Sequence, residues 1–129
     1  MGLGDKLIDS DLWHRNAAAL LGQVPNLSGG ANNSVASAGN SQGTGTLLAN
    51  AVQAVTGADG TKGVTLPAIT LADNKWYFIY NQSASGLKVY PPTGASINSG
   101  AANAAITMSG TTSALIVAVS GSQYLALYS

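Results

Sequence analysis

From Leu47 to the end of the chain, short apolar runs alternate with clusters of Gly, Pro, Asp, Asn and Ser. This punctuation leaves no room for a long helix in that stretch. LLANAVQAV (47–55) leads into a turn segment, TGADGTKG (56–63). VTLPAITL (64–71), KWYFIYNQS (75–83), LKVYPP (87–92), AAITMS (104–109), ALIVAVS (114–120) and QYLALYS (123–129) follow. The breakers between them are Asp73-Asn74, Ser85-Gly86, Pro91-Pro92-Thr93-Gly94, Gly110 and Gly121-Ser122. Runs of this length and spacing predict an all-β body: an antiparallel β-sandwich or jelly-roll-like domain, or a small barrel. Pro67, Pro91 and Pro92 belong at strand ends or edges, where a missing N–H breaks no ladder.

Alternation along the strands carries a second message. In KWYFIYN, Trp76, Phe78 and Tyr80 point one way and Tyr77 and Ile79 the other. In ALIVAVS, Leu115, Val117 and Val119 oppose Ala114, Ile116 and Ala118. Both faces are apolar, the pattern of strands covered on two sides. A body of this size has difficulty burying two apolar faces alone. With no Cys to supply a disulfide, association between copies is the expected remedy. Trp76, Phe78, Tyr80, Leu115 and Val117 are therefore the candidate subunit-interface residues.

Charge is scarce and unevenly placed. Five of the ten charged residues (Asp5, Lys6, Asp9, Asp11, Arg15) lie in the first fifteen positions, and there is no Glu. Net charge is zero and 46% of the residues are hydrophobic. A neutral chain generates no field to steer it to nucleic acid or to an anionic membrane. No apolar run approaches a membrane span, and the N-terminus lacks the basic and apolar regions of a secretory signal. Little colloidal protection and a surface of Ala, Gly, Ser, Thr and Asn suit a protein that lives assembled.

Two segments precede the body. Residues 1–27 form the candidate N-terminal anchor. Within it, 5–22 place Ile8, Leu12 and Ala19, flanked by Leu7, Leu20 and Leu21, at helical spacing. Asp9 or Ser10 would cap the start, and Gly22 with Pro25 would end it. So short a helix is marginal alone and must dock, on a partner or on its own body. Residues 28–46, whose only bulky side chain is Val35, read as a flexible Gly/Ser/Asn linker with a reach of roughly 25 Å. The β-rich, self-associating body then occupies 47–129.

The residues assemble no obvious chemistry. His14 is the only histidine, and no nucleophile-elbow motif accompanies it. Asp59-Gly60 supplies one carboxylate, far short of a calcium loop, and reads as a turn. GTGT (43–46) lacks the GK[ST] of a phosphate loop. The tyrosines and Trp76 lack the Lys/Arg stripe of a nucleic-acid stacking platform. No catalytic residue, metal or cofactor is expected, and an enzyme is the poorer reading.

The run GVTLPAITLADNKWYFIYNQSASGLKVYPPTGASINSG, with AITMSGTTSALIVAVSGSQYLALYS after it, resembles a module of tailed-phage virion proteins. Its most specific part is Leu87–Asn98. That resemblance implies a β-rich homotrimer on the outer capsid surface, decorating and stabilising the shell, made in the host cytoplasm. The expected partner is the major capsid protein, gripped through Leu7, Ile8, Leu12, Trp13 and Leu20 with Asp11 and Arg15 at the rim. Three such anchors on one trimer would multiply a weak contact by effective concentration. The alternative is a head- or tail-fibre component binding a host-surface glycan through Trp76 or Tyr90. A carbohydrate-binding module or adhesin stands further off.

Overall fold

The computed structural model describes residues 29–73 and 75–129. Within them the chain is all-β. Ten strands, β1 (Ala31–Ala36), β2 (Thr46–Leu47), β3 (Val52–Thr56), β4 (Gly63–Thr65), β5 (Trp76–Asn81), β6 (Leu87–Tyr90), β7 (Ser96–Ile97), β8 (Ile106–Met108), β9 (Ser113–Ser120) and β10 (Gln123–Tyr128), form two sheets. The six-stranded sheet has the order β1-β3-β5-β9-β10-β7, and the four-stranded sheet β2-β4-β6-β8.

From β1 to β8 the chain changes sheet at every strand. Consecutive visits to the same sheet stack in parallel: β1 on β3 on β5 in one, β2 on β4 on β6 in the other. This is a β-solenoid. One turn advances 21 positions (Ala31 to Val52) and the next 26 (Val52 to Phe78). Two antiparallel elements complete it. β8 pairs with β6, and the β9–β10 hairpin pairs with β5 through β9.

The solenoid replaces the antiparallel sandwich, jelly roll or barrel expected from the sequence. The strands were legible, but the breakers were ambiguous. A short polar interruption can turn a chain back on itself as a hairpin or send it around a corner. Here most breakers are corners, and the strand in the opposite sheet serves as the long crossover that parallel pairing requires. Only Gly121-Ser122 joins two sequential strands as an antiparallel hairpin.

Corners are built from side chains that stand in for backbone partners. At the β5–β6 corner the fully buried Asn81 donates from Nδ2 to the carbonyls of Ser85 (2.8 Å) and Ser109 (3.0 Å), and its Oδ1 accepts from the Ser83 N–H (3.0 Å). At the β3–β4 corner Asp59 Oδ1 accepts from the N–H groups of Thr61 and Lys62 and from the Thr61 hydroxyl. The β1–β2 corner requires glycine. Gly39 has a φ of +62°, and a Cβ there would lie 2.3 Å from the Thr44 carbonyl oxygen.

Two further expectations are corrected. Residues 28–46 are not a coil throughout, since Ala31–Ala36 form β1 and Thr46 opens β2. Parallel pairing with β3 uses backbone groups that any composition supplies, and Val35 alone reaches the core. The run 47–55 is also two strands in different sheets, divided by a corner at 48–51 where Leu48 and Ala51 are buried. Pro67 and Pro91 lie just past β4 and β6, at strand ends as expected. The N-terminal helix predicted over 5–22 lies outside the described residues.

Between the sheets sits one core, with Val55, Val64, Ile79, Leu87, Val89, Met108 and Ile116 at its centre. Tyr77 and Tyr124 meet edge to face, ring centroids 6.2 Å apart. The Tyr124 hydroxyl donates to the Pro67 carbonyl at 2.9 Å, so a large ring is buried with its polar end satisfied.

Candidate docking surface

The alternation read in β5 and β9 resolves into an inner and an outer face. Tyr77, Ile79 and Asn81 point into the core, as do Ala114 and Ile116. Trp76, Phe78, Tyr80, Leu115 and Val117, the five candidate interface residues, all fall on the outer face of the six-stranded sheet.

Register brings them into rows. Val52 pairs with Phe78, Phe78 with Leu115, and Leu115 with Leu127, so one apolar line crosses four strands. A second line runs from Trp76 through Val117 to Leu125. In a third, Tyr80 lies between Ala54 and Ser113. Trp76, Phe78, Leu115 and Val117 are half-buried. Around them Leu127 is 65% exposed, Val119 52%, Val52 43%, and Tyr80 and Leu125 42% each. Isolated exposed apolar side chains are ordinary, whereas a contiguous field marks an interaction surface.

Val52, Leu125 and Leu127 are the residues of this face that sequence reasoning missed. The signal was present in QYLALY, where Tyr124 and Ala126 alternate with Leu125 and Leu127 in the same two-sided manner as β9. Val52 could not be placed while 47–55 was read as one strand.

The other sheet presents a different exterior. Its outward positions include Leu47, which is 66% exposed, the buried Thr65, Lys88 and Thr107. Lys88 Nζ donates to the Thr107 hydroxyl (2.9 Å), and the Thr65 hydroxyl donates to the Gln42 carbonyl (2.9 Å) from the loop that joins β1 to β2. Among the described residues that exterior carries a single exposed large apolar side chain and is partly covered by the chain, whereas the exterior of the six-stranded sheet is an uncovered apolar field.

A cleft of about 320 Å³ opens at one end of the body, lined by Pro67, Thr70, Leu71, Lys75, Tyr77 and Tyr124. Burial pushes the Tyr124 phenol above its ordinary range, with the neighbouring Tyr77 adding to the effect, so the group stays neutral. Among the described residues no group of three or more His, Cys, Asp or Glu side chains is placed to hold a metal ion. Asp59 is exposed. The hydrogen bonds from Thr61 and Lys62 hold its carboxyl well below the usual carboxylate range, with the Lys62 ammonium 3.6 Å away adding to them. It serves the turn.

Of the two residues considered for glycan contact, Tyr90 is buried, its ring against Gly63, where a Cβ would lie 2.7 Å from Cε2. Trp76 is half-buried on the apolar face. The anchoring candidates Leu7, Ile8, Leu12, Trp13 and Leu20 lie outside the described residues, as does His14.

No family model matches the chain, and no curated protein or solved structure is significantly similar to it.

Proposed function

We propose that this chain is a structural virion protein, a homotrimeric decoration protein of a tailed-phage head that acts by binding and carries out no reaction. The observation behind this reading is the apolar exterior of the six-stranded sheet, uncovered among the described residues, which suits a body that works in contact with other protein. The resemblance of Gly63–Ser129 to tailed-phage virion modules supplies the setting. In this reading the N-terminal segment grips the major capsid protein. A ligand that binds only the assembled shell raises the stability of that shell by mass action. A fibre reading glycans through Trp76 or Tyr90 is the weaker alternative, because Tyr90 is buried and Trp76 is half-buried within the apolar face.

The test is co-sedimentation of the full chain with empty capsids of its phage. Retained capsid pellets with the intact chain, and loss of binding on deleting residues 1–24, are the expected results. An intact chain that stays in the supernatant would refute the reading.

A further inference from the structure

The chemistry of the outer face narrows what can cover it. We infer that the occupant is a second copy of this chain, bound through the same exterior of the six-stranded sheet. The inference rests on the assembly reading above and deepens it by naming the partner of that face.

Charge is the first argument. None of the four strands that build the face, VQAVT, WYFIYN, SALIVAVS and QYLALY, contains a charged residue. A foreign surface of ordinary composition would have to strip water from its charges with no counter-charge offered in return. Another copy brings an equally neutral face and desolvates nothing but apolar area and a few hydroxyls.

Extent is the second. On four adjacent strands Val52, Tyr80, Val119, Leu125 and Leu127 stand 42–65% exposed in one field, and contiguous apolar fields mark interaction surfaces. A standard specific interface takes about 800 Å² from each partner, and this face spans the four neighbouring strands β3, β5, β9 and β10.

The third argument removes the competing routes. The opposite sheet presents one exposed large apolar side chain, Leu47, beside Lys88 and Thr107, and the β1–β2 loop partly covers it at the buried Thr65. The free edge of β1, an obvious template for strand addition, is blunted by the chain's own side chains. The Ser34 N–H donates to Asn32 Oδ1 (2.9 Å), and the Ala36 carbonyl accepts from the Thr46 hydroxyl (2.6 Å). Association therefore runs through the exterior of the six-stranded sheet, which three copies can turn toward a common axis.

The experiment is the solution mass of the full chain at micromolar concentration, by light scattering or sedimentation. The wild type should run at a multiple of 12.9 kDa. The double variant Val119→Asp, Leu127→Asp, altered only at exposed positions, should fall to the single-chain mass with its β circular dichroism unchanged. Thr107→Asp on the other sheet should leave the mass as it was. The chain has no cysteine, so a short bismaleimide should link copies of Leu125→Cys and spare those of Thr107→Cys. A wild type of single-chain mass would overturn the inference, as would an assembled Val119→Asp, Leu127→Asp variant. An assembled chain that ignores capsids would leave the inference standing and remove the virion reading. A single-chain species that binds capsids would remove the inference and the homotrimer and leave only the capsid binding.

Discussion

Asn98 captures Ala126 at both of its backbone groups: Oδ1 accepts from the Ala126 N–H at 2.8 Å, and Nδ2 donates to the Ala126 carbonyl at 3.2 Å. A side-chain amide thus continues the β7–β10 ladder where the backbone of β7 has ended. The geometry requires Asn98 at a φ of 55°, a region that Asn tolerates better than most residues.

Replacing Asn98 separates those two contributions. Asn98→Ala should lose about 2–3 kcal/mol, from two hydrogen bonds and a left-handed backbone that Ala disfavours. Asn98→Gly removes the same bonds and relieves the backbone, so it should lose about 1 kcal/mol less. Urea denaturation of both variants checks the order; an Ala variant as stable as the Gly one would contradict it.

Asn81 should be the least replaceable polar residue of the body. Its amide answers the Ser85 and Ser109 carbonyls and the Ser83 N–H from a fully buried position. Asn81→Leu leaves these groups without that partner and should destabilise by about 3 kcal/mol or more. Asn81→Asp should do the same near neutral pH, because two carbonyls would then face a carboxylate. The measurement is the urea midpoint of each variant.

Asp59 predicts a pH dependence with a definite sign. Its folded-state pKa is depressed, so its contribution is complete above the unfolded value, near 3.9, and is lost as pH falls through the folded value. The gap in urea midpoint between wild type and Asp59→Asn should be constant from pH 7 to about 5 and close on further acidification. A gap that widened below pH 4 would contradict the turn geometry.

Tyr124 titrates in the opposite sense. Burial raises the phenol, so its contribution holds below the unfolded value, near 10, and is lost as pH rises through the folded one. In a spectrophotometric titration Tyr124 should resist ionisation until the fold is lost, and Tyr124→Phe should reduce the amplitude of that late step. The same variant loses the bond to the Pro67 carbonyl and should be less stable by about 1 kcal/mol.

The candidate surface was legible in part because burial obeys alternation. The two-sided pattern of WYFIYN and ALIVAVS marks five residues that share one exterior, whichever strands turn out to be neighbours. Leu125 and Leu127 obeyed the same rule and needed only to be read by it. Val52 and β1 were illegible for different reasons. Val52 sits beyond a corner, at 48–51, whose residues look like strand. β1 is made of ANNSVA, whose pairing comes from backbone groups that composition does not report.

Local chemistry by itself determined that this chain would be β-rich, where most strands would run, and that some strands would be apolar on two sides. Side-chain period and turn residues act within a few positions, so they can be read there. Only the tertiary structure decided that the breakers are corners instead of hairpins, and hence that the sheets are parallel and wound. That choice depends on which backbone groups some twenty residues away accept each strand's hydrogen bonds, a relation between segments that no single segment encodes.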